Sequence, residues 1–459
     1  MRGSITIEHV KAAPVVACPA FVSCFLGVVL LLCFDKILHR INPVPHVPAS
    51  LLGMCLVVTV GVYLKQKRPD VYTSLEKSAA PAVNWITHSY LALFYSPALV
   101  SLPKLLIGDI TGQDIALSLG VICVGCFLTA AFTGWSLVAL RHWMLPAADG
   151  ARQVTMGDQT AHSRGRIRFS RTYIIFWACT GCIMCLGTAW VISRRQHVDD
   201  GGEPMLDVAT RGMIGLMQAS LTICGYIFGV YLPERVKNWI HPMICCAILP
   251  NMAAYVFSQM FPWFLSYKEW VDMYLPQDGF GPGHVFFSFL GPIIICFGFR
   301  IVEQWDILMA NKVEILACCI MSSAFTMIST AFLAGPVLHV SRRMAVSLIP
   351  RGATLALALP ISKSLGGIPQ ITAAAVAGTG LIGGNFIHAI MGILGLRNVL
   401  VRGITAAAVA HGLGSAAIGS IEPDTLPYAG IAYLICGTSA VLWTTIPQFV
   451  TLLLHIVSN

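Results

Sequence analysis

The chain is short of charge. Only 11% of its 459 residues are Asp, Glu, Lys or Arg, against about 25% in an ordinary soluble domain. That excludes a soluble enzyme, and no nucleophile–base pair or metal-ligand constellation stands out to suggest catalysis. No run alternates apolar with polar residues, which removes a membrane β-barrel. Acids are the scarcest of all at depth. None lies deep in any of the apolar spans drawn below, so a sodium site built on carboxylates is disfavoured, and a coupled proton would ride on a histidine or on the substrate. No secretory cleavage site precedes the first span, and "MRGSITIEHVKAAP" is too short and plain for a transit peptide. This favours a plasma membrane over a plastid envelope.

What the chain has is apolar length. It is 56% hydrophobic with a mean hydropathy of +0.75, and it repeatedly runs for the ~20 apolar residues that cross a bilayer as a helix. The expected fold is an all-α polytopic membrane protein embedded in lipid. Twelve spans fit, near 14–34, 47–64, 83–105, 114–140, 172–192, 212–232, 238–262, 284–302, 313–335, 369–394, 399–419 and 429–456. Residues 352–366 form a shorter apolar piece, either re-entrant or half of a broken span. Net charge is +8. Spread over short loops, it reads as the excess of Lys and Arg on the cytoplasmic side rather than as a nucleic-acid surface. Loop charge places both termini and the arginine-rich stretch 141–171 on one side, with 266–282 on the other. Three parts follow: a four-helix unit over 1–140, a linker with one extra span over 141–204, and a transport unit over 205–459.

Sixteen cysteines suggest metal at first sight. Cys179, Cys182 and Cys185 stand in one apolar run without His or carboxylate beside them, so they read as small packing residues. "GTGLIGG", Gly378 to Gly384, matches a dinucleotide pattern but lacks the preceding strand and following acid that such a site needs. No metal and no cofactor is expected.

The stretch "IPRGATLALALPISKSLGGIP" is different in kind. Pro350, Gly352, Pro360, Gly366, Gly367 and Pro369 each interrupt or cap a helix. Helix N-termini attract anions, Arg351 adds a fixed cation with a forked donor, and Thr354 adds a hydroxyl. Lys363 reads equally well as a snorkelling side chain. In "AAAVAHGLGSAAIGS", His411 stands in a small, apolar span with Gly412, Gly414 and Ser415 beside it. An ionisable residue at such depth is a functional candidate by default. Asn385 and His388 on the preceding span are weaker versions, and Arg397 and Arg402 read as interfacial anchors. A further break, Gly291–Pro292, interrupts "SFLGPIIICFGFR".

These residues carry a resemblance. "GGIPQITAAAVAGTGLIGG", "RGITAAAVAHGLGSAA" and the Leu290–Pro292 triplet are similar to the core of the LrgB/CidB family. "PASLLGM" (Pro48–Met54) and "LFYSPALV" (Leu93–Val100) resemble its LrgA/CidA partner. The whole resembles an LrgA–LrgB fusion of the kind found in plant plastids and fungi. The resemblance implies exchange or export of small monocarboxylates such as glycolate, glycerate or pyruvate. It also implies a fold akin to cation–proton antiporters and bile-acid symporters, with crossed discontinuous helices. Its bacterial members imply a rival reading, a holin-like pore or a regulator of cell-wall hydrolase export. On the first reading Arg351 binds the carboxylate, while Thr354, Asn385, Gly414 and Ser415 read the rest of the substrate. His411, or failing it His388, carries a proton, and a homodimer would give the moving part a fixed scaffold.

Overall fold

Apolar sequence in a bilayer has no water to bond its backbone, so each N–H and C=O must be satisfied within its own segment. Helix is the outcome throughout. The computed structural model describes residues 18–42, 48–106, 110–144, 169–195, 208–237, 239–276 and 279–458, and no strand occurs among them. Ten of the described helices are long and apolar enough to cross a membrane. The chain is an integral multi-pass membrane protein. Most of the arginine-rich loop lies outside the described residues.

In order, the main helices are α1 (Cys18–Ile41), α2 (Ala49–Lys67), α3 (Pro69–Asn84), α4 (Gly112–Met144), α5 (Arg171–Arg195), α6 (Val208–Tyr231), α7 (Pro242–Met260) and α8 (Leu290–Glu303). There follow α9 (Lys312–Phe332), α10 (Arg342–Leu348), α11 (Leu355–Leu365), α12 (Pro369–Ile393), α13 (Val399–Ile421), α14 (Leu426–Thr444) and α15 (Pro447–Ser458). Two expected spans are not single helices. Residues 83–105 break into a π-turn and three short helices, Leu91–Phe94, Ser96–Val100 and Leu102–Leu106. Residues 429–456 divide into α14 and α15 at Pro447, which cannot continue a helix from its interior. The interruption expected at Gly291–Pro292 falls just before them. Helix Pro282–Phe287 ends there, and α8 restarts at Leu290 with Pro292 in its first turn, where the missing N–H costs nothing.

Two re-entrant hairpins replace the expected pair of crossed broken helices. In α13 the backbone leaves helical geometry at Ala410 and at His411, which has φ 42° and ψ −137°. Arg402 near one end bonds Glu422 beyond the other, 20 residues on, where a straight helix would hold them ~30 Å apart. Gly414 packs directly on the Ala406 carbonyl of the opposite arm. The helix therefore turns back on itself at the Ala410–His411 tip. The 342–365 segment does likewise. Helix α10 enters, a 3-10 turn over Ile349–Gly352 reverses the chain, and α11 returns. At the base, the Thr372 hydroxyl bonds both Ser347 O (2.9 Å) and Ser362 Oγ (2.6 Å), and the Ile368 N–H donates to Ser347 Oγ (2.7 Å). Gly366, with φ 77°, caps α11, and Pro369 opens α12. Residues 352–366 are thus the returning arm of a re-entrant loop.

The hairpins bracket α12, so they enter from opposite ends of it and meet at their tips. Gly352 of the first tip faces the Ala408 carbonyl of the second. Helix α4 packs along α9, α12 and α13.

A hairpin does not change the side of the chain. From Arg171 five crossings lead to Val337. The first hairpin, α12, the second hairpin and the α14–α15 passage then bring Val457 back against Gly335. The C-terminus therefore emerges opposite the end of α5 that starts at Arg171, where loop charge placed it on the same side. Tags inserted after Ser170 and after Ser458 should be accessible from opposite faces of the membrane. Labelling of both from one face would mean that one hairpin crosses.

Candidate functional site

The first hairpin tip carries Arg351, whose side chain is completely buried. It leaves the tip and lies across α4. Its Nε donates to Thr330 Oγ1 on α9 (3.0 Å), Nη2 to Thr129 Oγ1 (3.4 Å) and Nη1 to Cys126 Sγ (3.8 Å), both on α4. Gly125 makes this possible, because any side chain there would overlap the guanidinium. All the partners are neutral. Among the described residues no carboxylate pairs with this cation. Moving one such ion out of water costs several kcal/mol even after relaxation. Thr129, Cys126 and Gly125 are residues that sequence reasoning missed. They lie more than two hundred positions from Arg351, and α4 has no irregularity to mark them.

Thr354 is the N-cap of α11, yet its hydroxyl caps nothing and has no hydrogen-bond partner. Next to the tips, Thr326, Pro350, Gly352, Ala408 and Cys436 enclose a space of about 10 Å³, room for about one water. His411 is buried at the second tip, and its Nε2 bonds Val376 O on α12 at 3.1 Å. His241, the N-cap of α7, is another histidine of this part of the chain, and its Nδ1 accepts from the Met243 N–H (3.3 Å). Nothing in "NWIHPM" had marked it.

Other expected site residues have different surroundings. Gly414 lets the arms of the second hairpin close, and the Ser415 hydroxyl bonds His411 O (3.0 Å) and Ala429 O (3.1 Å). Both stabilise the hairpin rather than face Arg351. Asn385 bonds Leu381 O one turn back. Gly412 meets open space. Asp35, placed beyond the first span by the sequence reading, lies inside α1 because that helix runs on to Ile41. It is buried, accepts from Ser50 Oγ (2.7 Å) and presses on Gly291. A carboxylate buried among the helices does exist.

His388 belongs to a cluster at the base of the second hairpin. Arg402 grips Glu422 through both Nε (2.6 Å) and Nη2, Nη2 also meets His388 Nδ1 (3.1 Å), and Nη1 donates to Leu396 O (2.8 Å). Bonding to Arg402, chiefly, and the adjacent His388 hold the Glu422 carboxyl below its ordinary value. A carboxylate whose pKa is lower folded than unfolded stabilises the fold above the unfolded value, ~4.3, and loses that contribution as pH falls through the folded one. Thermal unfolding in detergent should therefore show wild type full-strength at neutral pH and weakening below pH ~4.3. Glu422→Gln should be less stable at neutral pH and less sensitive to acid. Parallel pH profiles would mean the cluster does not hold the hairpin.

Comparison with known proteins bears on what this arrangement is. The LrgB-like family model matches residues 222–450. The plastidal glycolate/glycerate translocator 1 of Arabidopsis thaliana is 30% identical over 416 residues, covering 89% of this chain and 76% of that protein. The antiholin-like protein LrgB of Bacillus subtilis is 30% identical over 174 residues, 37% of this chain and 73% of its own. An uncharacterised Haemophilus influenzae protein is 25% identical over 218 residues, 47% of this chain and 87% of its own. No solved structure matches. The match to the translocator takes in most of the chain, and the family model covers both tips: the chain belongs to the LrgB-like family.

Proposed function

We propose that this protein is a secondary transporter of small monocarboxylates, of the size of glycolate, glycerate or pyruvate, working by alternating access at the two hairpin tips. The observation that carries the reading is Arg351, a buried guanidinium whose described partners are all neutral. A charge held at that expense is explained if its counter-ion is the cargo. Re-entrant hairpins support the same reading, since irregular backbone at membrane depth is tolerated where it is covered by protein or lines a substrate path. The relative named as a glycolate/glycerate translocator adds to it. The antiholin-like relative favours the rival, a pore or regulator that acts without a saturable substrate, but such a device has no use for a buried cation whose described partners are all neutral.

Proton coupling is part of the proposal. His411 at the second tip is its carrier, and Asp35 is the alternative that the sequence alone did not offer. The test is uptake of labelled glycolate into proteoliposomes containing the purified protein, with and without a pH step. Uptake should saturate, be competed by glycerate, and respond to the step in wild type. His411→Gln should still exchange but respond less. Uptake that rises linearly with concentration would sink the transporter in favour of a pore.

A further inference from the structure

The N-terminal part does more than brace the hairpins. We propose that Tyr95 completes the carboxylate site, opposite the free N-terminus of α11, so that the cargo is held between the two parts of the chain. The proposal rests on the transport reading and gives it a location.

Three observations converge. Helix α11 is 11 residues long and begins at the first hairpin tip. The Leu357 and Ala358 N–H groups bond back to Thr354 O, at 2.9 and 2.8 Å, while Leu355 and Ala356 find no backbone acceptor. Two adjacent N–H groups at a helix N-terminus are what a carboxylate takes up, aided by the dipole. Secondly, Thr354 Oγ1 is buried beside them and unpartnered. Thirdly, Tyr95 approaches from the "LFYSPALV" segment, is 7% exposed, and brings its hydroxyl up to the Ala356 amide in a geometry that leaves the hydroxyl unsatisfied. Two buried hydroxyls at one helix end are each left unsatisfied, which is costly, and a ligand between them would satisfy both. Gly437 of α14 lies against the same corner, with Leu357 packed close to it and Thr354 Oγ1 beside it.

The chemistry sets the ligand class. The two N–H groups take the carboxylate oxygens. One hydroxyl donates to the carboxylate, and the other is left for a 2-hydroxyl or 2-oxo group. Arg351, three residues before Thr354, keeps its bonds to Thr129 and Thr330 and acts through its field. Tyr95 stands on the N-terminal part and Thr354 on a hairpin, so a bound acid would link the two. That is where an alternating-access device needs its cargo.

The experiment measures binding directly. Glycolate should raise the thermal midpoint of the purified wild-type protein in a saturable way. Tyr95→Phe and Thr354→Val remove only the hydroxyls, and neither hydroxyl holds the fold. Both variants should keep or raise the ligand-free midpoint and need about tenfold more glycolate for the same shift. Wild-type glycolate dependence in both variants overturns this site and leaves the transport reading standing. No saturable shift in wild type overturns both. A ligand-free midpoint that falls in Tyr95→Phe while Thr354→Val binds normally makes Tyr95 a packing residue and also overturns the site.

Discussion

Replacing Arg351 by Gln should give a protein that is more stable than wild type and binds its substrate worse. The two effects share one cause. The guanidinium is buried against Thr330, Thr129 and Cys126 with no described acid to neutralise it. Its desolvation is a standing cost, and a neutral side chain that still reaches Thr330 escapes it. The same charge draws an anion to the hairpin tip. Two unit charges about 8 Å apart at an effective dielectric of about 20 interact by about 2 kcal/mol, roughly thirtyfold in affinity. Half-saturation for glycolate should rise by that order in proteoliposomes, while the melting temperature in detergent holds or climbs. Arg351→Lys should fall between, since a compact ammonium keeps the charge but cannot span Thr330 and Thr129 together. A variant that melts earlier yet keeps wild-type half-saturation would make Arg351 a structural anchor, and the transport reading would lose its main support. A mutation that trades stability for lost function is the expected mark of a binding site.

Gly414→Val should produce the largest structural defect in the chain. A Cβ at that position overlaps the Ala406 carbonyl oxygen and crowds the Ala410 side chain. The obstacle on one side is backbone, so no rotamer change relieves it. Overpacking alone costs about 1–3 kcal/mol. Here it also parts two arms that protect each other's backbone within the membrane, where every unsatisfied polar group costs several kcal/mol more. Little monodisperse protein should survive extraction. Gly412→Ala, two residues away, should be nearly silent, because nothing lies within 4 Å of the added carbon. Size-exclusion profiles of the two variants decide the matter. Wild-type behaviour of Gly414→Val would mean that the arms are not packed as described and that α13 runs on through the membrane.

Tyr95 marks where local reading stops. It lay inside a motif recognised for its family likeness, and no local signal separated it from the aromatic residues around it. Its neighbours at the site, Thr354 and Gly437, come from two other elements. Asp35 was misplaced for a different reason. Hydropathy ends a span where charge begins, whereas a helix ends where its backbone bonding ends, and α1 continues through Asp35 to Ile41.

By itself the sequence determined the solvent and the class of fold. Scarce charge and long apolar runs admit only helices in a bilayer, because no other single-chain arrangement of continuous apolar segments satisfies the backbone there. It also marked both irregular tips, through Pro350, Gly352 and the glycines around His411, since residues that break helices do so locally. Tertiary structure alone decided what the breaks become. A kinked helix that continues and a helix that turns back have the same composition and periodicity. The difference lies in the dihedrals of Ala410 and His411 and in contacts between residues far apart in the chain, Gly414 on Ala406 and Arg402 on Glu422. The surroundings of Arg351 were decided the same way, by a long helix from the other end of the sequence that offers a glycine and two weak acceptors, Cys126 and Thr129, at the one height where a buried cation needs them.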